Sequence, residues 1–89
     1  MTTEDLSTRV LELLVSVAPD VDPGAVRPDE AFRDQFDFDS MDTLNFAIAL
    51  HGAFGVDVPD TEYAELASLS KCVRYLERRG VESRIERHD

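Results

Sequence analysis

A chain of 89 residues, 43% of them apolar, is long enough for one domain with a single modest core, and leaves no room for an enclosed active site with its own substrate domain. Its 19 acidic and 9 basic residues give a formal net charge of -10 at pH 7. Nucleic acids and anionic membranes attract basic surfaces, so this charge argues against both and favours protein partners with basic docking patches. Mutual repulsion between such chains predicts a monomer.

Cysteine usage and the N-terminal sequence predict a cytoplasmic protein. Cys72 is the only cysteine, so no intramolecular disulfide can form, and its place among apolar residues predicts a small buried side chain. The N-terminal segment lacks the basic start and apolar run of a signal peptide. No segment is long and apolar enough to cross a bilayer, so we expect no membrane insertion.

The first half of the chain predicts one helix followed by a long ordered loop. Apolar residues recur at helical spacing from about residue 4 to residue 18, and Pro19 ends the pattern. The segment 19–39 is rich in Pro, Gly and Asp, which is typical of a loop. Four apolar side chains within it are expected to pin the loop onto the bundle: Val26, Phe32, Phe36 and Phe38.

The second half predicts three further helices. One begins at Ser40 and reaches about Ala53, and its wide apolar arc predicts a central, well-covered helix. A short third helix or turn follows over 60–66. The last helix starts near Ser68 or Ser70, either of which could cap it, and ends at Gly80. The predicted fold is therefore an all-α four-helix bundle with three main helices, formed by residues 1–80 and followed by a flexible tail over 81–89.

Charge is unevenly distributed along the chain. No lysine or arginine occurs between Asp34 and Ser70, so the acidic residues of this stretch have no basic neighbours in sequence. We therefore expect the second and third helices to form one acidic surface. The residues concerned are Asp34, Asp37, Asp39, Asp42, Asp57, Asp60, Glu62 and Glu65.

The segment 32–44, with the sequence FRDQFDFDSMDTL, resembles the signature of acyl and peptidyl carrier proteins. In that family an Asp-Ser-Leu tripeptide opens the second helix, and a phosphopantetheinyl transferase attaches a 4′-phosphopantetheine arm from coenzyme A to the serine. The resemblance implies that Ser40 is the attachment residue, with Met41 in the place of the leucine. It also implies that Asp39 assists the transferase. The resemblance covers nearly the whole chain, from the first amphipathic helix to the turn at Leu76, and it includes the FGVDVP sequence at 54–59.

The resemblance implies a non-catalytic carrier with an acyl-carrier-like fold. Such a protein holds acyl or aminoacyl groups as thioesters and presents them to enzymes of fatty-acid, polyketide or related secondary-metabolite biosynthesis. The implied partners are the transferase, an acyl-activating ligase or acyltransferase, and downstream synthase enzymes. Docking is expected through Met41, Asp42, Asp57, Asp60, Glu62 and Glu65.

The sequence departs from the family pattern near the attachment residue and along the second helix. Asp37 replaces the usual glycine, and Phe38 adds bulk beside the expected arm. Further along, three residues stand where fatty-acid carriers are often acidic, which points to a dedicated set of partners: Asn45, His51 and Gly52.

Three alternatives remain open at this point. Ser40 could be only an N-cap, the commonest reason for a serine at a helix start. The chain could be an unmodified acidic adaptor that keeps the carrier shape without the arm. Core residues could either shelter an acyl chain or simply pack together, namely Phe32, Phe46, Leu50, Leu66 and Val73. A metal-dependent enzyme is least favoured, because the histidines and the cysteine have no recognisable ligand spacing.

Overall fold

The computed structural model describes residues 3–81, and these residues form helices and connecting loops without a strand. The α-helices are α1 (Thr3–Val17), α2 (Phe32–Gln35), α3 (Ser40–Phe54) and α4 (Leu69–Arg78), and two 3₁₀ segments lie at Pro23–Ala25 and Asp60–Leu66. The predicted all-α bundle of three main helices and one short third helix is therefore confirmed. Within the described range no helix has the length and apolar character needed to cross a membrane.

Helix α1 packs on α3 and α4 through the apolar face that its spacing predicts. Leu6, Val10 and Leu14 have no exposed surface, and Leu13 and Val17 pack against the edge of the same core. Arg9 and Glu12 pair on the opposite, exposed side at 3.1 Å. The alternation of one apolar and one charged face thus fixes how α1 sits on the bundle.

The long loop between α1 and α3 is held by an aromatic cluster and by backbone hydrogen bonds. The fully buried Phe32 ring lies 5.4 to 6.0 Å from the rings of Phe36, Phe38 and Phe46. The Phe32 N–H donates to the carbonyl of Ala67 at 2.7 Å. The expected pinning of the loop is confirmed, although the single turn of α2 is too short to give a periodic pattern in the sequence.

Glycines in the left-handed region of backbone conformation follow the C-terminal ends of α3 and α4. Gly55 follows α3 with φ of 71°, and Gly80 follows α4 with φ of 83°. At the start of α4 the Ser68 hydroxyl accepts the Lys71 N–H at 3.2 Å, so Ser68 is the cap. Val81 is buried, and its N–H donates to the Leu76 carbonyl at 3.1 Å in a Schellman arrangement. The rest of the predicted tail, 82–89, lies outside the described residues.

The expectation that α3 is a well-covered helix is wrong for its outer side. Phe46, Ala47 and Leu50 are buried, whereas Met41 and Ile48 are each 60% exposed and Leu44 is 37% exposed. The reason is that, among the described elements, α3 packs mainly against α1 and the 3₁₀ segment Asp60–Leu66, which leaves its outer side exposed. Met41, Leu44 and Ile48 follow one another at helical spacing, so they form a single exposed apolar stripe.

The residues considered as walls of an acyl-chain cavity are packed core in this structure. Phe32, Phe46, Leu50 and Leu66 have no exposed surface and Val73 is 5% exposed, and all five belong to one continuous hydrophobic cluster. Open space near the predicted attachment residue lies elsewhere, at the surface beside the N-terminus of α3.

Candidate functional site

Ser40 is the first residue of α3, and the residue before it caps the helix. The Asp39 carboxylate accepts the Asp42 N–H at 3.0 Å, while the Asp42 carboxylate accepts the Asp39 N–H at 3.0 Å. This reciprocal capping box satisfies the first turn without the serine side chain. The interpretation of Ser40 as an N-cap is therefore wrong, because Asp39 has that position.

The Ser40 side chain is left accessible by this arrangement. Ser40 is exposed, and within residues 3–81 its hydroxyl has no hydrogen-bond partner. In the described part of the chain no histidine lies beside it: His51 is eleven residues further along α3, about 16 Å by helical rise, and His88 is outside the described residues. Ser40 is thus an exposed alcohol that a second protein can reach.

A groove of about 660 Å³ opens beside Ser40. The N-terminus of α3 forms one side of it, and the 3₁₀ segment with the start of α4 forms the other. Phe38, whose ring packs against Phe32 at 5.4 Å and Phe46 at 6.2 Å, is a fixed part of the wall. The groove residues are Ala31, Arg33, Phe38, Asp39, Ser40, Thr43, Tyr63, Ala64, Ala67 and Lys71. An exposed hydroxyl at the edge of a mostly apolar groove suits the attachment of a long flexible group.

The predicted acidic surface is interrupted by Arg78, the last residue of α4, and by Arg79, which follows it. Glu62 accepts the Tyr75 hydroxyl at 2.6 Å and lies 3.8 Å from Arg79. Arg78 pairs with Glu65 at 3.3 Å. Burial, followed by the hydrogen bond to Glu62, raises the pKa of Tyr75, so its hydroxyl keeps its proton at neutral pH. Glu62 and Glu65 have no basic neighbours in sequence, but the fold brings arginines to both of them, and these contacts hold the 3₁₀ segment on the C-terminal helix.

The other acidic residues expected to dock partners have different surroundings. Asp42 belongs to the capping box, with its carboxylate on the Asp39 N–H. Asp57 and Asp60 are exposed, and inside the described range their carboxylates make no ion pair or hydrogen bond. Met41, one residue after Ser40, is exposed at the start of the apolar stripe. The structure thus leaves Met41, Asp57 and Asp60 free for a partner.

Cys72 is a core residue, as its position in the sequence predicts. It has no exposed surface, and burial raises the pKa of its thiol to about 12. A buried protonated thiol is neither a nucleophile nor a metal ligand at neutral pH. Among residues 3–81, no three His, Cys, Asp or Glu side chains are grouped so that they could hold a metal ion.

Sequence reasoning missed four residues around this site. The exposure of Leu44 and Ile48 was not predicted, although α3 has more apolar positions than one buried face can hold, and that excess was the available signal. Arg33 and Lys71 line the groove together, although they are far apart in sequence. No local pattern could have paired them.

Comparison with known proteins finds both a matching family model and a related protein of known type. A family model described as a phosphopantetheine attachment site matches residues 8–76, which include Ser40. An acyl carrier protein of Campylobacter curvus (strain 525.92) is 37% identical over 60 residues, covering 67% of this chain and 78% of that protein. The match to the family model runs from α1 into α4 and so spans all the elements that surround the groove.

Proposed function

This chain belongs to the acyl carrier protein family, whose cofactor is covalently attached 4′-phosphopantetheine, and we propose that Ser40 is the residue that carries the cofactor. The observation that supports this assignment is the exposed Ser40 hydroxyl, which the Asp39–Asp42 capping box leaves without a structural role. Two other hydroxyls are engaged: Thr43 donates to the Asp39 carbonyl at 3.2 Å, and Ser70 donates to Asp29 at 2.8 Å.

Attachment requires a second protein. The Ser40 oxygen forms a bond to the phosphorus that carries the pantetheine, the pyrophosphate bond of coenzyme A breaks, 3′,5′-adenosine diphosphate leaves, and the hydroxyl proton passes to a base. Within residues 3–81 the one histidine, His51, lies too far along α3 to take that proton, so we propose that a phosphopantetheinyl transferase supplies the base. Asp39, next to the serine and already oriented by its hydrogen bond to Asp42 N–H, is the residue we propose to assist that enzyme.

The thiol at the end of the arm supplies the chemistry, because it holds the cargo as a thioester. Acyl carrier proteins are non-catalytic, and we propose that this one tethers acyl or aminoacyl groups and raises their effective concentration at partner active sites. Those partners are an acyl-activating ligase or acyltransferase and the downstream synthases of fatty-acid, polyketide or related secondary-metabolite biosynthesis. The lone buried cysteine and the net charge of -10 favour a monomer working in the cytoplasm.

Partner docking is proposed to combine an apolar contact with charge steering. The exposed stripe of Met41, Leu44 and Ile48 begins one residue after Ser40, and exposed apolar side chains so grouped favour protein contact. Asp57 and Asp60 add unpaired negative charge that would speed encounters with basic patches. Asn45, His51 and Gly52, which stand on α3 where fatty-acid carriers are often acidic, support a dedicated rather than a general set of partners.

The experiment that tests the assignment is loading in vitro. The apo protein is incubated with coenzyme A and a broad-specificity transferase, and the intact mass is measured. A gain of one phosphopantetheine group is expected in the wild type and in Ser70→Ala, a matched hydroxyl deletion, and no gain in Ser40→Ala. An unchanged wild-type mass would favour the unmodified adaptor instead.

A further inference from the structure

Most basic side chains in the described part of this acidic protein have an acidic partner. Arg9 pairs with Glu12 at 3.1 Å, Arg27 with Glu30 at 2.7 Å, Arg78 with Glu65 and Arg79 with Glu62. Within the same residues, three cations have none: Arg33, Lys71 and Arg74. Two of these three, Arg33 and Lys71, line the groove that contains Ser40.

Backbone contacts, rather than ion pairs, bring these two cations together. The Phe32 N–H donates to the Ala67 carbonyl at 2.7 Å, and the Ser70 N–H donates to the Pro28 carbonyl at 3.0 Å. The loop that carries Arg33 is therefore joined at two points to the turn that precedes Lys71. Both cations are exposed, but their backbone positions are fixed by this pair of hydrogen bonds and by the buried Phe32 ring.

We propose that Arg33 and Lys71 form an anion site for the phosphodiester of the arm on Ser40, and that they hold the first part of the arm in the groove. The inference rests on the proposed attachment at Ser40. A phosphodiester there adds negative charge beside Asp39 and Asp42, which repel it. Two cations at the same groove offset that repulsion, the guanidinium by forked hydrogen bonds and the ammonium as a compact charge.

The exposure of both cations sets the strength of this site. Exposed ion pairs are weak and are screened by salt, so the arm would be held loosely and released when a partner docks. The groove would thus bias the resting arm towards the 3₁₀ segment and α4, where Tyr63, Ala64 and Ala67 provide an apolar surface for the portion beyond the phosphate.

The test compares apo and arm-bearing protein by NMR, after intact mass has established that the arm is attached. In the wild type, attachment should shift the backbone amide signals of Ala64 and Ala67. In the double variant Arg33→Gln with Lys71→Gln these amide shifts should fall by about half or more. Raising NaCl from about 0.05 M to about 0.5 M should have the same effect on the wild type, because it shortens the screening length several-fold.

Control variants separate a specific site from a general charge effect. Arg74→Gln removes the third unpaired cation, which lies outside this groove, and should leave the wild-type shifts unchanged. Arg33→Lys with Lys71→Arg keeps both charges and should retain most of the shifts. Circular dichroism of each apo variant establishes that it is folded.

The possible results point in distinct directions. Equal shifts in the wild type and the double glutamine variant would overturn the anion site while leaving attachment at Ser40 intact. The amide shifts should depend on Arg33 and Lys71 whether the thiol is free, acetylated or succinylated. If they depend on these cations only when the thiol carries the negatively charged succinyl group, the cations bind the cargo, and the assignment to the phosphodiester is overturned. No mass gain at all would contradict the proposed function itself.

Discussion

Asp39 and Asp42 cap the first turn of α3 for each other, each carboxylate accepting the backbone N–H of the other at 3.0 Å. Ser40 lies between them in sequence but takes no part in the cap. The two aspartates thus satisfy the helix N-terminus and leave the serine hydroxyl exposed. Since negative charge also favours this end of the helix dipole, the cap stabilises the turn that presents Ser40.

Substitutions at Asp39 should separate capping from assistance to the transferase. Asp39→Ala is expected to lower the free energy of unfolding by about 1 kcal/mol, whereas Asp39→Asn, which keeps a capping oxygen, should cost only a few tenths of that. If the carboxylate assists the transferase, Asp39→Asn should nonetheless be modified more slowly. Urea unfolding and initial rates of mass gain measure the two effects.

Asp42→Asn is the control, because it makes the same charge change in the same capping box. It should be modified faster than Asp39→Asn. Equal slowing of the two variants would contradict a specific role for Asp39 and indicate a general effect of charge in this turn.

The exposed stripe on α3 should matter for docking and not for stability. Ile48→Ala, at a position 60% exposed, is expected to change the free energy of unfolding by less than about 0.5 kcal/mol. Leu50→Ala, at a fully buried position on the same helix, should cost about 2 to 5 kcal/mol. Transferase kinetics should show a several-fold higher KM for Ile48→Ala with little change in kcat.

Thr8→Ala, an exposed change on α1, controls for nonspecific surface effects and should leave KM unchanged. If the KM of Ile48→Ala equals that of the wild type, the apolar stripe does not contribute to binding of the transferase.

Acidic residues on the 3₁₀ segment should differ in function, some stabilising the fold and others speeding association with partners. Glu62→Gln weakens the contacts with Tyr75 and Arg79 and is expected to lower the melting temperature, whereas Asp60→Asn should not. Asp60→Asn should instead slow association with a basic partner at low salt, because unpaired charge steers encounters. Thermal unfolding and stopped-flow association at two salt concentrations give the comparison. A greater loss of stability in Asp60→Asn than in Glu62→Gln would contradict this division.

Burial of Cys72 predicts a pH effect with a definite sign. Its thiol has a pKa of about 12 in the folded protein, against 9.0 in the absence of burial. As the pH rises, the unfolded chain therefore loses this proton before the folded protein does. The contribution of Cys72 to the free energy of unfolding is complete below pH 9 and is lost as the pH rises from 9 through 12. The stability difference between the wild type and Cys72→Ala should shrink over that range.

Alkylation provides a second measurement at Cys72. At pH 8 the folded apo protein should resist iodoacetamide and react only after unfolding in urea. Fast alkylation of the folded apo protein, or a stability difference that does not change with pH, would show that the thiol is not buried as the structure has it.

Periodicity in the sequence was sufficient to predict the main helices. The apolar spacing of α1 and α4 and the proline and glycine residues between helices locate these elements to within a few residues. The segment around Ser40 was also recognisable, but whether Ser40 or Asp39 caps the helix was not. Both residue types are good caps and they are adjacent, so only the hydrogen bonds decide.

Features that depend on tertiary contacts could not be predicted. The pairing of Glu62 with Arg79 arises because α4 folds back over the 3₁₀ segment. The exposure of Ile48 depends on how many elements surround α3, which apolar spacing alone does not reveal. The meeting of Arg33 and Lys71 in one groove likewise requires the loop to be joined to the turn before α4.

The most direct test of the central claim is to locate the modification on the loaded protein. Because no lysine or arginine lies between Asp34 and Ser70, trypsin releases a single fragment, 34–71, that contains Ser40 together with other hydroxyl side chains. Fragmentation in the mass spectrometer should place one phosphopantetheine group on Ser40 and nowhere else. A loaded protein in which this fragment is unmodified, or in which the group lies on Thr43, Thr61, Ser68 or Ser70, would contradict the account.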